Sequence, residues 1–134
     1  MHTIKEIQED LESLTTREER IEYLIDLGAE LEAYPQEEKT PEHKVPGCVS
    51  GVYIKTREQP DNKILIQATS ESLIVKGLVK IFLAFFNNKT REEIRTNKEL
   101  FEDFVQQHNL AQSIVATRAN AIGQMYVFLE QKIT

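Results

Sequence analysis

Apolar positions along the chain follow two spacings. Ile4, Ile7, Leu11 and Leu14 recur at helical intervals and predict a first helix near the N-terminus. Thr16-Arg17-Glu18-Glu19 is a capping-box pattern, in which the hydroxyl and the carboxylate each satisfy a free backbone N–H. A second helix is expected after it, with Ile21, Leu24, Ile25, Gly28 and Leu31 on one face and Tyr34-Pro35 as its end. Residues 36–44 are polar, contain Pro41, and read as a surface loop. Pro46-Gly47 is a turn signal. From Val49 the spacing changes to alternation. Cys48, Ser50, Val52 and Ile54 would share one strand face, and Val49, Gly51, Tyr53 and Lys55 the other. Gln59-Pro60-Asp61-Asn62 is a turn. A second strand over residues 63–69, with Ile64, Ile66 and Ala68 on one side, completes an antiparallel hairpin.

Ser70 is the expected N-cap of a third helix over residues 71–87. Its apolar residues surround nearly the whole helix, so it should lie centrally, against the sheet and other helices. Lys76 and Lys80, four apart, share the one polar stripe. That stripe is either a solvated edge or a contact for an acidic partner. Gly77 inside the helix costs about 1 kcal/mol relative to Ala and implies a close approach by another element. Thr90-Arg91-Glu92-Glu93 repeats the capping box and should open a short helix. Leu100, Phe101, Phe104 and Val105 give the next helix its face, with His108-Asn109 as its stop. Residues 110–116 fit no single pattern. Thr117 would cap a last helix with Ala121, Ile122, Met125 and Leu129 inward. Helices, a hairpin, then helices again predict an α+β fold, a small antiparallel sheet packed against several helices.

Composition narrows the picture. A chain of 134 residues, 40% apolar and with a net charge of −6, fits one globular domain over residues 1–134 rather than a disordered segment. An acidic balance argues against nucleic acid as the main partner. The longest apolar run, residues 73–86, is interrupted by Lys76, Gly77 and Lys80 and does not suit a bilayer. No targeting segment is visible at the polar, acidic start, so a cytoplasmic location is expected.

The single cysteine, Cys48, excludes an internal disulfide and a Cys-rich metal or cluster site within one chain. It fits a reducing compartment. A lone cysteine is often a small buried hydrophobe. Here Pro46-Gly47 before it and Gly51 after it allow a tight loop and close approach of another molecule. His43 and Lys44 could favour the reactive thiolate. As a general base His43 has no forced geometry, and a solvated loop histidine is the simpler reading. Arg118 would sit in the first turn of the last helix, unfavourable for a cation; Arg17 and Arg91 take similar places, so this alone assigns no role. No metal site is expected.

Lys44-Val45-Pro46-Gly47-Cys48-Val49-Ser50-Gly51-Val52-Tyr53 resembles the active-site segment of the SufE family, sulfur-acceptor partners of cysteine desulfurases. Three further stretches resemble the family in order and spacing. They are Tyr23-Leu24-Ile25-Asp26-Leu27-Gly28, the segment ending Ile74-Val75-Lys76-Gly77-Leu78, and Thr117-Arg118 with Met125. Val49 stands where the family usually has Gln, Tyr53 where it has Trp, and Ala121 where it has Gly.

The resemblance implies a SufE/NifU-like fold and a sulfur carrier rather than an enzyme in its own right. A SufS-like desulfurase, which holds its own pyridoxal phosphate, would pass persulfide sulfur to Cys48, and the chain itself would need no cofactor. Cys48 would then deliver sulfur to a cluster-assembly scaffold and stimulate the desulfurase. Gly47, Ser50, Gly51, Lys76 and Arg118 would serve as loop or partner contacts. A scaffold of the same fold would need several cysteines, and this chain has one. Two alternatives stay open: a non-catalytic module that modulates a desulfurase, and a relay to another pathway such as transfer RNA modification. An independent cysteine hydrolase lacks a convincing base and acid.

Overall fold

The computed structural model describes residues 2–47, 51–110 and 121–134. Among them are five α-helices and a three-stranded antiparallel sheet, an α+β architecture. The helices are α1 (Ile4–Ser13), α2 (Arg17–Gly28), α3 (Leu73–Phe86), α4 (Arg91–Gln107) and α5 (Ala121–Ile133). The strands are β1 (Val52–Glu58), β2 (Lys63–Ser70) and β3 (Lys89–Thr90), in the order β1-β2-β3.

Local chemistry explains most boundaries. Thr3, Thr16 and Thr90 each form a complete capping box with Glu6, Glu19 and Glu93. Asn62, with φ 68°, lets the β1–β2 turn close, and Asn109, with φ 52°, follows α4. In β1 and β2 the buried side chains alternate as expected: Val52 and Ile54 on one strand, Ile64, Ile66 and Ala68 on the other. The pairing runs from Val52 opposite Ser70 to Glu58 opposite Ile64.

Helix α3 is the centre of the molecule. Nine of its residues are buried, among them Val75, Leu78, Phe82 and Phe86. It packs on α2, on β2, on α4 and on α1. Its C-terminal aromatics meet those of α4 in edge-on contacts, Phe82 with Phe101 at 5.7 Å and Phe85 with Phe104 at 5.3 Å. From α5, Met125 and Leu129 enter the same core, while Tyr126 packs on Phe86 at 5.4 Å.

Several boundaries differ from the pattern-based expectation. Helix α2 ends at Gly28 rather than near Tyr34, because the chain turns where α3 crosses it. Leu27, outside the expected face, is buried there. Residues 36–44 include two short 3₁₀ turns, Gln36–Glu38 and Pro41–His43. Ser70 is the last residue of β2, and Ser72 is the N-cap of α3, accepting from Val75 N. The Ser70 hydroxyl instead accepts from Ser72 N at 3.1 Å. The two helices expected between residues 91 and 107 are one, with Leu100 56% exposed rather than on the apolar face. Strand β1 begins at Val52, because Gly51 has φ 62° and breaks the alternation. The expected placements of Val49, Ser50, Thr117 and most of residues 110–116 lie outside the described residues.

Candidate functional site

The backbone on either side of Cys48 forms a closed frame. Lys44 pairs with Tyr53 in an antiparallel bridge, and Val45 N donates to Val52 O at 2.8 Å. Val45 and Val52 are both buried, so the closure is part of the core. Residues 46–51 lie between these partners. Cys48 and Ser50 are themselves outside the described residues, as is Arg118.

Two glycines border the undescribed residues, and both have left-handed backbone: Gly47 at φ 78° and Gly51 at φ 62°. Most side chains at either position would cost about 1–2 kcal/mol through the Cβ, Asn and Asp being the ones that tolerate this region. At Gly47 an added Cβ would meet, among the described residues, only Gln124 of α5 at 3.9 Å, an ordinary contact. At Gly51 it would also come within 2.5 Å of Glu71 Oε1. Gly51 O accepts from Glu71 N at 3.2 Å, which ties this end of the frame to the entrance of α3. The frame is therefore bordered by Lys44 on one side, Glu71 on the other and Gln124 from α5. Glu71 and Gln124 had no local signal in the sequence; strand pairing and helix packing bring them here.

The segment leading to the frame is anchored on β1. Tyr34 lies 6.3 Å from Tyr53, centroid to centroid, and its hydroxyl donates to Glu38 O at 3.1 Å. Burial, and then the Glu38 carboxylate, push the Tyr34 phenol up to about 12. Lys55 Nζ reaches Glu38 Oε1 at 3.4 Å. His43 Nδ1 is 3.1 Å from Thr40 Oγ1 and 3.6 Å from Glu38 Oε2. Its imidazole is thus engaged by its own segment, as a structural histidine would be. Tyr53, at the position where the resembling family usually has Trp, is half-buried and held by this contact.

Lys76 is placed by a different feature. At the crossing of α2 and α3, its Cβ lies 2.6 Å from where a Cβ on Gly28 would stand. A Cβ on Gly77 would overlap the Leu24 carbonyl. Gly28 and Gly77, which fall in two of the matching stretches, permit the contact of two helix backbones. Lys80, on the same stripe, is 8% exposed and lines a cavity of about 110 Å³ with Ile66, Leu83 and Asn87.

Among the described residues no group of three or more His, Cys, Asp or Glu side chains could hold a metal ion. No described helix is long and apolar enough to cross a membrane.

Residues 5–133 match the family described as SufE, Fe-S metabolism associated domain. An uncharacterized SufE-like protein of Synechocystis sp. PCC 6803 is 34% identical over 129 residues, covering 96% of this chain and 79% of that protein. Uncharacterized SufE-like proteins of Rhizobium etli and Rhizobium meliloti are 34% and 33% identical over 128 residues, covering 93% of this chain and 85% and 90% of theirs. The solution structure of a hypothetical protein from Thermus thermophilus is similar in fold, with a TM-score of 0.72 at 14% identity, covering 97% of this chain and 92% of that one.

Proposed function

The chain belongs to the SufE family, whose domain is associated with iron–sulfur metabolism, and we propose that Cys48 is a sulfur acceptor for a cysteine desulfurase. The observation that carries this reading is the frame around it. The only cysteine of the chain stands between two glycines of left-handed backbone, on a segment closed by Val45 and Val52. Such a segment can present a thiol to another protein while its base stays in the core.

The proposed step is a thiol–persulfide exchange. The Cys48 thiolate attacks the terminal sulfur of the desulfurase persulfide. A new S–S bond forms on Cys48 as the old one breaks, and the desulfurase cysteine leaves as thiolate. One sulfur atom moves, with no external oxidant or reductant. Removing it from the desulfurase frees that enzyme for its next turnover. Pyridoxal phosphate and the carbon–sulfur cleavage remain with the partner. The Cys48 persulfide then passes its sulfur to a cluster-assembly scaffold. A second thiol in the same loop would attack the inner sulfur and release sulfide, which a chain with one cysteine avoids.

Alanine formation from cysteine by a SufS-like desulfurase, with and without this chain, tests the role. Wild-type chain should raise the rate, and Cys48→Ser should not. Equal stimulation by Cys48→Ser would replace the carrier with a module that only modulates the desulfurase.

A further inference from the structure

Two buried side-chain nitrogens in the described residues have no hydrogen-bond partner: Arg20 Nε and His108 Nε2. Leaving a buried donor unpaired costs about 1–3 kcal/mol, and in native structures such groups usually meet a water, an ion or a ligand. Arg20 belongs to α2 and His108 is the C-cap of α4. Although on different elements, both line one cavity of about 260 Å³, with Leu11 and Leu14 among its walls. That volume is several times the roughly 30 Å³ share of one water molecule.

We propose that this cavity binds a small tetrahedral oxyanion, of the phosphate or sulfate type, between Arg20 and His108. Arg20 is cationic at any ordinary pH, and its Nε edge offers a donor beside the planar fork that suits oxyanions. His108 is 9% exposed, its ring fixed 4.5 Å from Phe104, so a donor there is already oriented. Burial pushes the His108 imidazole down, with Glu12 opposing. The neutral ring can still donate from Nε2. Among the described residues Glu12 is the one acid lining the cavity. It is exposed, so water and salt screen its repulsion of a bound anion. No described residue lining this cavity belongs to the frame around Cys48, so the proposal does not rest on sulfur transfer.

The test uses the full chain labelled with ¹⁵N. The Arg20 Nε–H and His108 ring signals are followed while inorganic phosphate or sodium sulfate is added, against chloride at matched ionic strength. A saturable shift of both signals with phosphate, sulfate or both is expected, and none with chloride. Arg20→Gln should weaken binding about tenfold, the equivalent of one charge-assisted hydrogen bond. Arg20→Lys, which keeps the charge but loses the Nε–H, should weaken it in the same direction. It also serves if Arg20→Gln does not fold, as judged by circular dichroism. Saturation by phosphate alone would assign the site to phosphate-bearing ligands, and saturation by both to tetrahedral oxyanions in general. Absence of saturation in the wild type, or unchanged affinity in both Arg20 variants, overturns the proposal.

Discussion

The α2–α3 crossing and the frame around Cys48 both depend on paired glycines, for opposite reasons. At the crossing, Gly28 and Gly77 have no room: a Cβ on either would enter the backbone or Cβ of the other helix. In the frame, a Cβ on Gly47 would meet no described side chain closer than Gln124 at 3.9 Å, but Gly47 sits at φ 78°, where L side chains are strained. Gly51 shares that backbone constraint and also faces the flexible Glu71 carboxylate. The first pair supplies contact, the second conformation. A helix crossing and the frame around Cys48 thus use one residue type by different physics.

Substitutions can separate the two. Gly77→Ala should be the most damaging, because the Leu24 carbonyl belongs to a helix and cannot step aside. A loss of about 3 kcal/mol is expected from overpacking, read as a lower urea midpoint at unchanged slope. Gly51→Ala should cost about 1–2 kcal/mol, the penalty of a side chain in left-handed backbone, since Glu71 can swing away. Gly51→Asn should recover part of that loss, because Asn tolerates this region. Gly47→Asn should stay within about 0.5 kcal/mol of wild type. If Gly77→Asn proved as mild as Gly47→Asn, the distinction between contact and conformation would collapse.

An effect visible only at alkaline pH concerns the anchor before the frame. The folded Tyr34 phenol is pushed up to about 12 from an ordinary 10.0. The folded chain therefore keeps that proton longer than the unfolded chain. The contribution is complete below pH 10 and is lost as pH rises towards 12. Tyr34→Phe should flatten the alkaline fall in urea midpoint over that window. An unchanged slope would mean that Tyr34 does not anchor the segment as described. Tyr126, also raised to about 12, continues to contribute in the variant.

Much of the fold could be read from local pattern. The boxes at Thr16 and Thr90 are spelled out within four residues, and the inward faces of β1 and β2 follow from alternation. Gly77 correctly signalled a close approach, although its partner became visible only when α2 was in place. The misread boundaries depend on tertiary contacts. Ser70 and Ser72 are equal candidates for a cap until the pairing of Ser70 with Val52 assigns the first to the sheet. Strand β3, two residues long, is too short to show any period. The fusion of two expected helices into α4 is reinforced by Asn97, whose side-chain amide donates to Phe85 O at 2.8 Å. At the candidate site, Cys48 itself lies outside the described residues, while the backbone freedom of Gly47 and Gly51 was readable. The Arg20–His108 cavity was not, since it joins positions far apart in the chain.

Sulfur on Cys48 is the centre of the account, and the mass of the intact chain after incubation with a cysteine desulfurase and cysteine tests it most directly. The proposed relay predicts a gain of one sulfur atom on the wild-type chain, removed by dithiothreitol and absent from Cys48→Ser. A wild-type chain that binds the desulfurase yet keeps its original mass would contradict it.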